Sequence, residues 1–117
     1  MPEDKLDLLK GTLDLLVLQT LSAMGSMHGF GIARRIEQVS GDQLHMNEGT
    51  IYASLIRLQN RRLIKAAWGT SDNNRKAKYY SLTRAGEKEL AQETATWQRL
   101  SSVIGRVLAT SSRDAGQ

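Results

Sequence analysis

Residues 46–64 of the chain are MNEGTIYASLIRLQNRRLI, and their apolar side chains recur with a helical period. Ile51, Leu55 and Leu58 recur at spacings of four and three, which places them on one face of an α-helix. Asn47 precedes the pattern, and asparagine is a residue type whose side chain caps helix N-termini. The stretch therefore predicts a helix that begins after Asn47 and has one apolar face.

The opposite face of this helix is bare at its beginning and cationic further on. It carries Gly49, Ala53, Arg57 and Asn60. Glycine costs a helix about 1 kcal/mol relative to alanine, and neither of these small residues covers much surface. A face of this kind suits a helix whose backbone is approached closely by another molecule.

The length and composition fit one small domain of the cytoplasm. The chain has 117 residues, enough for one modest core. It has no cysteine, which excludes disulfides and thiolate metal sites and is compatible with the reducing cytoplasm, where we expect the protein. The N-terminal MPEDKLDLLKG does not resemble a signal peptide, and the longest apolar run, LLVL at 15–18, is far too short to span a membrane.

Positive charge is concentrated in the middle of the chain. The net charge is +4, yet residues 34–84 hold ten Lys and Arg against four Asp and Glu, a net of +6. The remaining residues hold six against eight, a net of −2. This asymmetry favours a polyanionic partner such as nucleic acid, although solvated surface charges produce milder versions of it.

A first helix is predicted over residues 11–24. Its core stripe is Leu13, Leu16, Val17, Leu21 and Met24. Leu15 and Leu18 widen the apolar surface beyond this stripe, which indicates burial on more than one side. The second side faces either another chain or the C-terminal helix of the same chain.

A turn, GSMHG at 25–29, leads into a second helix over about 30–40. The residues predicted to face inward are Ile32, Ile36 and Val39. Arg34 and Arg35 face outward, where they either contact DNA phosphates or simply form a charged helix face.

Two strand-like segments, 63–70 and 77–83, follow the third helix and flank the polar, cationic loop SDNNRK. Turn residues between two such segments predict a β-hairpin. Thr83 then caps a long helix over about 84–110, and the tail 111–117 is expected to be flexible.

The order helix, helix, helix, hairpin, long helix predicts a mainly α fold with a small β-hairpin. We interpret residues 1–83 as a winged helix-turn-helix DNA-binding domain and residues 84–110 as a C-terminal dimerisation helix. In such a domain the second helix of the motif enters the major groove. Residues 48–61 would occupy that groove, with the wing, residues 71–78, on the backbone or in the minor groove.

The candidate DNA contacts lie on the outer face of this helix and on the wing. They are Gly49, Thr50, Tyr52, Ala53, Arg57, Arg75, Lys76 and Lys78. Thr50 can exchange a hydrogen bond with a base edge, and Arg57 can reach a guanine or a phosphate. The wing cations suit phosphate contacts, which give affinity and register but carry no sequence information directly.

The long C-terminal helix either folds back on its own domain or pairs with a second copy. A two-fold dimer matches an operator of dyad symmetry. The predicted interface residues are Leu15, Leu18, Leu90, Trp97, Leu100, Ile104 and Val107. Trp97 would anchor this interface or line a cavity that stacks a flat ligand, which leaves a small aromatic effector as an alternative.

Catalytic and metal-binding patterns are not recognisable in the sequence. His28 and His45 are the only histidines, and no third ligand lies near His45 and Glu48. No nucleophile elbow, phosphate loop or dinucleotide fingerprint is present. We therefore predict no enzymatic activity, no cofactor and no metal.

Three segments together resemble the PadR family of bacterial transcriptional regulators: GTLDLLVLQTLSAMGSMHGFGIARRI, NEGTIYASLIRLQNRRLI and KYYSLTRAGEKEL. The similarity covers about residues 8–92, and the single helix after the wing resembles the short subfamily. It implies a dimer whose C-terminal helix contacts the partner's first helix, and usually repression of a nearby promoter. It also implies DNA contacts from Thr50, Tyr52, Arg57, Arg75, Lys76 and Lys78. Some short relatives bind flat aromatic drugs between tryptophans, and Trp97 lies on the corresponding helix.

A protein-binding winged-helix adaptor is the alternative to a DNA-binding regulator. An adaptor should expose apolar residues on the outer face of the third helix. That face instead carries Gly49, Ala53, Arg57 and Asn60 beside a cationic wing, which favours DNA.

Overall fold

A computed structural model of the chain describes residues 10–111. Within this range the elements are α1 (Lys10–Met24), β1 (Met27–His28), α2 (Gly29–Val39), α3 (Glu48–Asn60), β2 (Ile64–Thr70), β3 (Lys76–Leu82) and α4 (Arg84–Leu108). The strands form one antiparallel sheet in the order β1-β3-β2. The predicted winged helix-turn-helix with a long C-terminal helix is confirmed. Of the predicted flexible tail, all but its first residue lies outside the described residues.

Helix α3 begins where the sequence indicates. The Asn47 side-chain oxygen accepts a hydrogen bond from the Thr50 backbone N–H at 2.8 Å, which confirms the predicted N-cap. Ile51, Leu55 and Leu58 are buried and contribute to the core. The apolar spacing therefore fixes which face of α3 turns inward and leaves the other face available.

Helix α1 lies at the centre of the domain and packs against α2, α3, α4 and β3. Leu18 is fully buried, whereas Leu15 is partly buried and packs against the same core, so its own chain covers part of the second apolar side of α1. Leu90, on the first turns of α4, is also buried in this core. The predicted assignment of Leu18 and Leu90 to a dimer interface is therefore wrong.

Two residues predicted to face inward are exposed. Met24 and Val39 lie at the C-terminal ends of α1 and α2, where they line an open groove together with Leu44. The apolar spacing continues to the last residues of both helices, whereas the buried core ends before them. The inward prediction for these two side chains is wrong.

The segment 25–29 is more than a turn. Gly25 takes a positive φ of 80° and ends α1, and its N–H donates to the Leu21 carbonyl at 2.9 Å. Met27 and His28 then form the short strand β1, which pairs with β3. His28 also caps α2, because its Nδ1 accepts a hydrogen bond from the Gly31 N–H at 3.0 Å.

The hairpin is paired from Ile64 opposite Leu82 to Thr70 opposite Lys76, within one residue of the predicted segments. The loop 71–75 is closed by a hydrogen bond of 2.8 Å from the Ser71 N–H to the Arg75 carbonyl. This register puts alternate residues of both strands on the face of the sheet that is turned toward α3.

The start of α4 is fixed to the end of α3 and the start of β2. The Thr83 hydroxyl accepts from the Gly86 N–H at 3.0 Å, confirming the predicted N-cap, and the Thr83 N–H donates to the Leu63 carbonyl at 3.0 Å. A Cβ at position 86 would overlap the Leu63 carbonyl oxygen, so only glycine fits there. From residue 95 onward α4 is exposed on all sides, and the molecule reaches 65 Å in its longest dimension.

Candidate nucleic-acid interface

The N-terminal half of α3 presents an open surface. Gly49, Thr50 and Ala53 are exposed, and a Cβ at Gly49 would meet only the Asn47 side chain. Because small side chains leave the backbone accessible, another molecule can approach this part of the helix closely. These three predicted contact residues share one uncovered face.

Arg57 follows Ala53 by one helical turn, but it is only partly exposed. Its Nε and Nη2 donate to the two carboxylate oxygens of Asp14 at 3.1 and 2.7 Å, and the Ser54 hydroxyl donates to the same carboxylate at 2.6 Å. The hydrogen bonds from Arg57 to Asp14 raise the pKa of Arg57. The guanidinium is therefore engaged by α1, and the DNA contact predicted for Arg57 stays a prediction.

The Asp14 carboxylate therefore ties α3 to α1 at two points. Ser54 is completely buried, and the Asp14 side chain is 10% exposed. This network is not visible in local sequence patterns, because the partners lie 40 and 43 residues apart in the chain. A signal was present, since Asp14 interrupts the apolar run of α1 and a buried carboxylate needs partners.

The wing carries its cations toward α3. One face of β3 carries Lys76, Lys78 and Tyr80, at every second position. Trp68 of β2 pairs with Lys78 across the hairpin. The Lys78 Nζ lies 5.8 Å from the centre of the Trp68 ring, within the range of a cation–π contact. The predicted wing residues are all exposed, and Trp68 joins them without having been singled out from the sequence.

An open groove of about 620 Å³ lies between α3 and the wing. It brings Tyr52 of α3 together with Arg75, Lys76 and Lys78. The Tyr52 ring packs against Gly29 at the start of α2, and this contact limits its movement. Four of the eight predicted DNA contacts, Tyr52 and the three wing cations, thus line the groove. Gly49, Thr50 and Ala53 lie on the adjoining face of α3, which brings seven of the eight together and leaves out only Arg57.

A second charged cluster joins the end of α3 to α4. Arg61 Nη2 donates to Glu89 Oε2 at 3.0 Å. A hydrogen bond between Glu89 and Glu93, followed by burial and the Glu89 charge, raises the pKa of Glu93 to about 7. The same hydrogen bond, together with the one from Arg61, lowers the pKa of Glu89. One proton shared between the two carboxyl groups relieves their repulsion at this joint.

The exposed part of α4 carries an apolar stripe. Trp97, Leu100, Ile104 and Val107 recur at spacings of three and four, and Trp97 is 48% exposed. Four of the seven predicted interface residues thus form one uncovered surface. The ligand-stacking role of Trp97 stays a prediction.

Within residues 10–111, no three His, Cys, Asp or Glu side chains are grouped so that they could hold a metal ion. His28 caps the N-terminus of α2, and the His45 Nδ1 lies 3.5 Å from the Glu37 Oε2. None of the helices in that same range is sufficiently long and apolar to cross a membrane.

A helix-turn-helix beside a cationic wing defines the winged helix class of protein. The sequence profile of the Transcriptional regulator PadR-like family matches residues 17–92, and the chain belongs to this family. The resemblance noted in the sequence is thereby confirmed, and the chain is placed among DNA-binding transcriptional regulators, a class of regulators and not of enzymes.

Solved structures of regulators have the same fold. A transcriptional regulator from Clostridium thermocellum is 26% identical with a TM-score of 0.75, over 83% of this chain and 93% of that chain. A PadR-like transcriptional regulator from Bacillus cereus is 25% identical with a TM-score of 0.75, over 87% and 96%. A PadR-like transcription factor from Bacteroides fragilis is 28% identical with a TM-score of 0.69, over 84% and 91%.

Proposed function

We propose that the protein is a homodimeric, sequence-specific repressor that binds a dyad-symmetric operator in the cytoplasm. Residues 48–61 enter the major groove, and the wing, residues 71–78, contacts the backbone or the minor groove. The observation that carries this proposal is the open face of α3 beside a groove rimmed by Arg75, Lys76 and Lys78. A protein bound across a promoter excludes the polymerase, which agrees with the repression that the family resemblance implies.

Base recognition is assigned to the start of α3. The major groove is about 12 Å wide and is nearly filled by a helix with its side chains. Gly49 and Ala53 let the α3 backbone approach the base edges, and the exposed Thr50 offers a hydroxyl and a methyl group to them. Arg57 acts as a positioning residue, because its guanidinium holds α3 on α1 through Asp14.

Dimerisation is assigned to α4. Residues 95–108 are exposed on every side, and at 1.5 Å per residue they extend about 20 Å beyond the domain body. The apolar stripe of Trp97, Leu100, Ile104 and Val107 suits a helix–helix contact with a second copy. Such a contact relates two copies of α3 by a two-fold axis, as a dyad-symmetric operator requires.

The proposal is tested by separating base contacts from phosphate contacts. Lys76→Ala should weaken binding to every duplex and reduce the slope of log affinity against log salt by roughly 0.9, since one phosphate contact is lost. Thr50→Ala should change the preference among sequences, with roughly 1–3 kcal/mol for a lost base contact. Lys65→Ala is the matched control. Lys65 is an exposed lysine on the same hairpin, but it lies on the opposite face of the sheet from Trp68.

These variants give a clear negative outcome. If Lys76→Ala and Lys65→Ala have the same affinity and the same salt slope as the unmodified protein, the wing does not bind phosphate. If the unmodified, folded dimer binds no duplex DNA at all, the proposed function is wrong.

A further inference from the structure

The groove between α3 and the wing exposes more apolar surface than a phosphate-binding site needs. Phe30, Ile56 and Trp68 are 64, 57 and 67% exposed, and all three line it. They come from three different elements, α2, α3 and β2, which converge on one concave surface. Large apolar side chains left uncovered together mark a place where another molecule binds.

The charge of the groove restricts what can bind there. Arg75, Lys76 and Lys78 contribute to its lining, and of the lining residues drawn from 10–111 none is acidic. Tyr52 and Gln59 add hydrogen-bonding groups from α3. The occupant must therefore carry negative charge and apolar surface on the same chain.

A single strand of duplex DNA has this chemistry, because anionic phosphates alternate with largely apolar deoxyribose rings. If, as the proposed function requires, α3 lies in the major groove and the wing lies at the flanking minor groove, the strand that separates the two grooves must run between α3 and the wing. The groove lies at that position.

We propose that this groove holds the sugar–phosphate strand between the two DNA grooves, with Trp68 and Phe30 packed against deoxyribose. Lys76 and Lys78 pair with the phosphates that flank those sugars. Trp68 is thereby a DNA contact that works without base recognition and without ionic attraction. Its contribution falls equally on every DNA sequence.

Trp68 could also act only by holding Lys78, whose ammonium lies 5.8 Å from the ring centre. The two roles are separable with a double-variant comparison. Trp68→Ala should weaken binding to a short duplex of arbitrary sequence by about tenfold, as expected for a large apolar contact. The loss should persist when Lys78 is already alanine. A loss that disappears in the Lys78→Ala background would overturn the sugar contact.

The salt dependence supplies a second readout. Because no ion pair is removed, Trp68→Ala and Phe30→Ala should leave the salt slope unchanged, whereas Lys76→Ala should reduce it. Val39→Ala is the matched control, since Val39 is 71% exposed and does not line this groove. Trp68 and Phe30 contribute little to the core, so these variants should fold, which circular dichroism and urea midpoints would check.

Fluorescence reports the contact directly. The chain has two tryptophans, so Trp97→Phe leaves Trp68 as the only indole. Adding duplex DNA to this variant should change the Trp68 emission. The DNA concentration at half of the emission change should equal the concentration at half-maximal binding. Unchanged emission, with Trp68→Ala and Phe30→Ala binding normally while Lys76→Ala binds weakly, would overturn this inference and leave the proposed function intact. If no variant and no unmodified protein binds duplex DNA, the proposed function fails first.

Discussion

Replacing Asp14 with alanine tests the ion pair that holds α3 against α1. The substitution removes both acceptors of the Arg57 guanidinium and the acceptor of the fully buried Ser54 hydroxyl. Leaving a buried hydroxyl unpaired costs about 1–3 kcal/mol. Breaking a fully buried ion pair costs about 3–5 kcal/mol, but the Arg57 side chain is 31% exposed and can be hydrated instead. We expect Asp14→Ala to lower the free energy of unfolding by about 2–4 kcal/mol in total.

Urea unfolding of a double-variant cycle measures this expectation. Arg57→Ala alone should be less harmful than Asp14→Ala, because the Ser54 hydrogen bond to Asp14 remains. The double variant should be destabilised by less than the sum of the two, since the pair can be lost only once. A change below about 0.5 kcal/mol for Asp14→Ala, the range of ordinary surface substitutions, would show that the Asp14 carboxylate does not stabilise the contact between α1 and α3.

The same variants decide how Arg57 affects DNA binding. If Arg57 positions α3, Asp14→Ala and Arg57→Ala should weaken binding to all sequences in parallel. If only Arg57→Ala changes the preference among bases, Arg57 leaves Asp14 to read DNA and the positioning role is wrong.

Three further expectations concern α4. Gly86→Ala should lower the free energy of unfolding by about 2 kcal/mol or more, since the new methyl group would overlap the Leu63 carbonyl. Gly105→Ala is the control in the same helix. Its new methyl group meets no atom within 4 Å, so the free energy of unfolding should rise by about 0.4–1 kcal/mol. Glu93 has its pKa raised to about 7 by its hydrogen bond with Glu89. Its protonated form therefore favours folding, and this contribution is lost as the pH rises from the ordinary carboxyl range through about 7. Glu93→Gln keeps a hydrogen-bond donor at every pH. Above a pH of about 7, its urea midpoint should therefore exceed that of the unmodified protein, and at acid pH the two midpoints should match. Equal midpoints at every pH would contradict the raised pKa of Glu93. Trp97→Asp should give a monomer by sedimentation velocity, and a persistent dimer would rule out the α4 interface.

Local rules predicted the parts of the fold that depend on local contacts. Asn47 and Thr83 were identified as helix caps from residue type and position, and both accept the expected backbone hydrogen bond. The hairpin was predicted within one residue because turn residues separate two strand-like runs. Each of these features is decided by residues that are close together in the chain.

The failures have a common physical cause, since spacing identifies a helix face without identifying what covers it. Leu18 and Leu90 have the apolar spacing of an interface but pack in the core of their own chain, whereas Val39 has the spacing of a core residue and is exposed. Strand β1 is two residues long and exists only through its pairing with β3. The pairing of Arg57 with Asp14 is likewise not visible in local spacing, because the two residues are 43 positions apart.

The candidate site was predicted in composition more than in arrangement. The wing cations and the small residues of α3 were named from the sequence and are exposed. The groove that joins them, with Phe30 and Trp68 on its surface, arises from the way α2, α3 and β2 pack together. No single stretch of the sequence contains that surface.

Sequence-specific DNA binding is tested by selecting bound fragments from a randomised duplex pool with the purified protein at near-physiological salt. We expect enrichment of a dyad-symmetric motif, with half-sites about one helical turn apart or a multiple of it. Bound DNA without a motif would contradict sequence-specific recognition by α3. No enrichment by a folded dimer would contradict DNA binding itself and favour the protein-binding adaptor.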